Sequence, residues 1–121
     1  MANVTGSWLG TYWQNGTPTR FEATFVQSRN VFSGRILDDG PPGEAAVSGD
    51  VIGRHIDFVK RYFSAPGTIH YIGTLSDDEN FLSGHWNIGS QQSGTWEAHR
   101  SDNTLSNELQ QRLQKFTPMN S

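Results

Sequence analysis

In this 121-residue chain two ionisable residues draw attention first, because each closes an apolar, alternating stretch: "VFSGRILD" ends on Asp38, and "HIDFVK" reaches Lys60. A carboxylate and an amine at inward positions of a sheet have three uses. They neutralise each other, they orient a small ligand, or they act as acid and base on a small apolar substrate. Four histidines raise the question of a metal. A four-residue turn at 76–79 would set Leu75 opposite Asn80 and His70 opposite His85 on an outer face, but His55 and His99 belong elsewhere and no third ligand accompanies the pair. The acidic "SDDEN" at 76–80 lacks the ligand spacing of a calcium loop. There is no Gly-x-Ser-x-Gly elbow, phosphate-cradling loop, dinucleotide fingerprint or haem motif, and without cysteine there is neither thiolate ligand nor thiol nucleophile. The expectation is a non-enzymatic protein with no metal and no cofactor.

The elements that position these residues are short. Turn signals at 14–18, 28–30, 38–43, 52–55, 64–67, 76–80 and 89–94 separate runs rich in β-branched and aromatic residues. Seven turns predict eight strands, near 7–14, 19–28, 31–38, 45–51, 55–62, 68–75, 80–88 and 93–100. No connection is long enough to cross over the structure, so each strand pairs with the next. A meander of this kind leaves two open edges unless the last strand meets the first. The predicted fold is therefore all-β, an eight-stranded antiparallel up-and-down barrel over residues 1–100, with a tail at 101–121. In that tail Leu105, Leu109, Leu113 and Phe116 form one apolar stripe behind Ser101 and Asp102, the pattern of a C-terminal amphipathic helix packed on the barrel.

Alternation then assigns faces. Trp8 inward takes Gly10, Tyr12 and Gln14 with it, and "FSGRI", "VSGDV", "YIGTL" and "LSGHW" each place two large residues two positions from a glycine. The glycines make space for the aromatics. Strand five is ambiguous: one parity buries Ile56, Phe58 and Lys60, the other His55, Asp57 and Arg61, and the first is preferred because it buries the apolar pair. In a meander the ends of odd strands share a rim with the starts of even ones. Tyr12, Gln14, Asp38, Lys60, Tyr71, Trp86 and Trp96 are thus expected around one space beside the connection "DDGPPGEAA", an aromatic surround with a few polar groups, as small-ligand sites have. The alternative is that the same aromatics simply fill the barrel and Asp38 pairs with Lys60 at its wet end.

"GSWLGTY", "VFSGRI", "VSGDV" and "FLSGHWNI" resemble the strand words of the avidin and streptavidin group within the calycin barrels, over roughly residues 5–100. The resemblance implies that Trp8 and Arg100 stack to close one end of the barrel, a structural role, and that a pocket lies at the other end. It does not imply biotin. The family's inward Asn of strand one falls on Gly10, its Ser at the end of that strand on Gln14, its inward Tyr of strand three on Ile36 and the following Ser on Asp38. Trp86 keeps one stacking position, whereas Tyr71 replaces another.

Charge and composition narrow the partners. A net charge of −3 with nine scattered Lys and Arg residues gives no footprint for nucleic acid. No apolar run approaches the ~20 residues of a membrane span, and the first residues lack the pattern of a secretion signal. The expected protein is cytoplasmic and holds a small, partly apolar ligand at one rim. The second reading is a structural barrel with a filled interior that works through its outer wall, where Leu9, Trp13, Val26 and Ile72 point out; on either reading a homo-oligomer built from the outer faces is expected, with Trp13 and Ile72 in the contact. A small barrel enzyme using Asp38 and Lys60 as acid and base is third.

Overall fold

The computed structural model describes residues 2–101, so the expected C-terminal helix lies outside the described residues. Eight strands follow one another: β1 (Gly6–Gln14), β2 (Thr17–Ser28), β3 (Val31–Asp38), β4 (Glu44–Ile52), β5 (His55–Tyr62), β6 (Ile69–Leu75), β7 (Phe81–Ile88) and β8 (Gln92–Arg100). Each pairs antiparallel with the next, and β8 returns to β1 to close the barrel, with Trp8 opposite Arg100 and Tyr12 opposite Trp96. Closure leaves no sheet edge unpaired.

Alternation sets the two faces. In β2 the chain buries Phe21, Ala23 and Phe25 and exposes Glu22, Thr24 and Val26. In β5 it buries Ile56, Phe58 and Lys60 and exposes His55, Asp57 and Arg61, so the apolar parity holds. The β1–β2 connection is shorter than the sequence suggests. Gln14 pairs directly with Thr17, and Asn15 and Gly16 both take positive φ, +52° and +79°, as a two-residue hairpin of the right twist demands.

The interior is a packed aromatic column. Phe25, Phe32 and Phe58 meet with ring centroids 5.2 to 6.0 Å apart, Tyr71 stacks on Phe58 at 4.8 Å, and Trp96 sets its edge against both at 5.8 and 5.6 Å. Glycine makes this possible at two places. A Cβ on Gly73 would stand 2.6 Å from the Trp96 ring, and one on Gly94 would stand 2.6 Å from the Trp86 ring. The bulkiest side chains therefore occupy the volume that their neighbours give up.

One end is shut by the N-terminal segment. Val4 is fully buried, the Trp8 indole N–H donates to its carbonyl at 2.9 Å, and the Arg100 guanidinium lies over the Trp8 ring at 4.5 Å. The same guanidinium donates to the carbonyls of Asn3, Thr5 and Glu79, which ties the chain start to the β6–β7 turn.

That turn corrects one expectation. Between the paired Leu75 and Leu82 it holds six residues, 76–81, two more than the predicted four, and within it Asp78 accepts hydrogen bonds from the Ser76 hydroxyl at 2.6 Å and the Asn80 amide at 3.0 Å. Leu75 consequently pairs with Leu82, His70 with Asn87, and His85 with Ile72. The two histidines are not opposite each other. His70 instead contacts Asp57 on β5 through Nε2 at 2.5 Å.

Candidate functional site

At the end opposite Trp8, three strands deliver one polar cluster into the barrel. Asp38 is the last residue of β3, Lys60 and Tyr62 are consecutive inward positions at the end of β5, and Tyr12 is inward near the end of β1. Ala45, paired with Tyr62, is the small side chain that β4 offers between β3 and β5. Lys60 Nζ donates to both carboxylate oxygens of Asp38, at 2.8 and 3.0 Å. The Tyr12 hydroxyl donates to Asp38 Oδ2 at 3.1 Å, and the Tyr62 hydroxyl makes a short hydrogen bond to the same oxygen. Among the described residues, every buried side-chain nitrogen and oxygen has a partner.

The ion pair is deep. Lys60 is 0% exposed and Asp38 4%, while Tyr12, Thr19, Tyr62 and Ile69 are half-buried around them and form the mouth. The ammonium also faces aromatic rings, with centroids at 4.8 Å for Tyr12, 4.7 Å for Tyr62 and 5.6 Å for Tyr71. Burial pulls the Lys60 ammonium down from its ordinary value, and the Asp38 carboxylate opposes that shift. All three tyrosines are pushed up, first by burial; for Tyr62 the hydrogen bond to Asp38 adds to it. At neutral pH the cluster is therefore a charge-neutral floor with phenols that keep their protons.

The sequence-derived site residues divide into three groups. Tyr12, Asp38 and Lys60 converge, with Trp86 beside them, its ring edge-on to Tyr12 at 6.3 Å and its indole N–H on the Trp13 carbonyl at 3.1 Å. Tyr71 and Trp96 lie lower, within the aromatic column, and the Trp96 indole N–H is spent on the Ile72 carbonyl at 2.9 Å. Gln14 stands exposed at the lip, donating to Gln92 at 2.8 Å, and does not reach the ion pair. Tyr62 was absent from the expected set. Its signal was available, since it follows Ile56, Phe58 and Lys60 at the same two-residue step.

Two grooves lie outside the barrel. One, of about 570 Å³, runs over the outer wall of β1, β2, β3 and β8 past Leu9, Arg20, Glu22, Leu37 and His99. The other, of about 540 Å³, crosses β4 to β7 past Ile52, His55, Ile72 and His85. Leu9, Leu37, Ile52 and Ile72 are all exposed there. Among the described residues no three His, Asp or Glu side chains gather as a metal site would require.

No family model matches the chain, and no curated protein matches it. Among solved structures it is similar to a de novo designed fluorescence-activating β-barrel, with 12% sequence identity, a TM-score of 0.59, and coverage of 80% of this chain and 93% of the designed one. At that identity the likeness shows the barrel fold alone.

Proposed function

We propose that this barrel is a non-enzymatic binding protein of the cytoplasm that holds one small, partly apolar molecule at the mouth formed by Tyr12, Thr19, Tyr62 and Ile69, over the Asp38–Lys60 pair. The observation that carries this reading is the pair itself. A buried ion pair is weak as a stabilising device, because apolar side chains of similar volume hold a core as well or better, by about 1–4 kcal/mol where such replacements have been made. A barrel already filled by aromatics has no packing need for Asp38 and Lys60 at one end. Polar groups gathered at an aromatic-lined mouth are what a ligand site is built from.

The packed column limits how deep the ligand goes. Trp96 and Tyr71 support the site from below, and Trp86 and Tyr12 provide its aromatic side. An affiliation with the avidin-type calycins belongs to the same proposal and is supported by the Trp8–Arg100 closure at the far end.

Native mass spectrometry of the full chain, purified under mild conditions, tests the reading. The expected result is a non-covalent adduct that is lost in Tyr12→Ala. A bare chain, together with no shift of mouth resonances across a library of small aromatic and aliphatic compounds, would rule the reading out.

A second reading rests on the outer wall. Val26, Leu37, Ile52 and Ile72 are 46 to 69% exposed, and apolar patches of that kind mark contact surfaces. On this reading copies of the barrel associate through their walls as a homo-oligomer.

A further inference from the structure

Hydrogen-bond accounting at the mouth points to the chemistry of its occupant. Asp38 has no proton to give while it binds the Lys60 ammonium, so each contact it makes is one in which the partner donates. Tyr12 and Tyr62 each carry one hydroxyl proton, and both protons are turned inward onto Asp38 Oδ2. The Tyr12 oxygen also lies within hydrogen-bonding reach of the Thr19 and Tyr62 hydroxyls, whereas the half-buried Tyr62 oxygen accepts no hydrogen bond from the described residues and keeps its lone pairs open. The mouth therefore accepts hydrogen bonds and has none to offer from its phenols.

Charge and shape narrow the class further. Asp38 and Lys60 cancel, so a full charge on the ligand finds no uncompensated partner. The inner ring faces of Tyr12 and Tyr62 already have an ammonium within 4.8 Å and 4.7 Å, which leaves no cation–π gain for a second cation. The Tyr12 and Trp86 rings, edge to face, offer a flat aromatic its packing partners.

Resting on the proposed binding role of this mouth, we infer that its ligand is a neutral, flat aromatic molecule with an N–H or O–H donor on its edge, which it places against the phenol oxygen of Tyr62. An isosteric molecule with only an acceptor at that edge meets lone pairs with lone pairs and is rejected.

Indole and benzofuran form a matched pair of probes, since they share an outline and differ by N–H against O. Both are titrated into the full chain, following the Trp86 indole N–H and the tyrosine ring signals by NMR. Indole is expected to bind at least about tenfold more tightly, the size of one hydrogen bond made against one forfeited. Tyr62→Phe removes the acceptor but leaves Asp38 bonded to Lys60 and Tyr12, and it should bring the indole-to-benzofuran ratio down toward one. Equal affinities for the two probes would overturn the donor rule while leaving binding at the mouth intact. An indole preference that survives in Tyr62→Phe would overturn the assignment to Tyr62. Saturating concentrations that move none of the mouth signals would overturn the rule together with the binding role.

Discussion

Lys60 reaches across the barrel interior from β5 to β3 and places its ammonium 2.8 and 3.0 Å from the two oxygens of Asp38, with both side chains out of water. The two residues depend on each other in a way that separate substitutions expose. Lys60→Met strands a buried carboxylate and should cost about 3–5 kcal/mol, whereas Asp38→Asn with Lys60→Met removes both charges and should fall near the parent stability or above it. Urea unfolding of the two single variants and the double variant measures the coupling. Losses that simply add would mean that the pair is not energetically linked.

The chain has three tyrosines, and all three face the barrel interior near this cluster. Their phenols are raised in the folded state, whereas in the unfolded chain they ionise near pH ~10. Above that pH the unfolded state has released protons that the folded state still holds. Stability that is full below the unfolded value is therefore lost progressively as pH rises from it toward the raised folded values. Phenolate absorbance should stay flat in the native protein and then appear for all three residues in one step, together with the loss of barrel circular dichroism. Tyrosine ionising gradually in a protein that remains folded would contradict the packing described for the mouth.

Trp8 and Arg100 form the counterpart at the closed end. Trp8→Ala removes a ring that is 1% exposed and that carries both the guanidinium contact and the bond to Val4, and it should cost about 3–5 kcal/mol in thermal or chemical unfolding. The mouth lies at the other end of the barrel, so ligand affinity of the folded fraction should not change. A loss under about 1 kcal/mol would show that the N-terminal segment closes the end without the indole.

Glycine placement gives a sharper local test. Gly73→Ala drives a methyl group toward the Trp96 ring at 2.6 Å and toward the Ser83 carbonyl at 2.9 Å, which should destabilise by about 1–3 kcal/mol and displace the Trp96 emission. An unchanged spectrum and stability would mean that the aromatic column yields easily.

Much of this architecture was legible in the sequence because β-structure writes a two-residue period, and the period in "RFEATFV" or "HIDFVK" survives as alternating burial. The strand count followed from turn residues, and the polar pair from two charges at inward positions. Register was less legible. The β6–β7 turn holds two residues more between its paired positions than predicted, closed around the Ser76–Asp78–Asn80 hydrogen bonds, and those two residues move His85 from opposite His70 to opposite Ile72. Depth was the other gap. Tyr71 and Trp96 share the parity of Lys60, but whether an inward residue lines a space or fills it depends on the volume of every neighbour, and here Phe58 occupies what a ligand would have used.

The outer wall supplies the last test. β6 leaves Ile72 46% exposed in a groove shared with Ile52 and His85, and each large apolar side chain that stays in water forgoes roughly 1.5–3 kcal/mol of burial. Association of two such walls recovers that burial on both partners at once. Sedimentation of the full chain at micromolar concentration should then show a species heavier than the 13.5 kDa chain, and Ile72→Glu, which places a charge at the centre of the contact, should return it to the monomer without unfolding it. A parent chain that sediments at 13.5 kDa at every concentration would remove the wall as an interface and leave the mouth as the functional surface of the barrel.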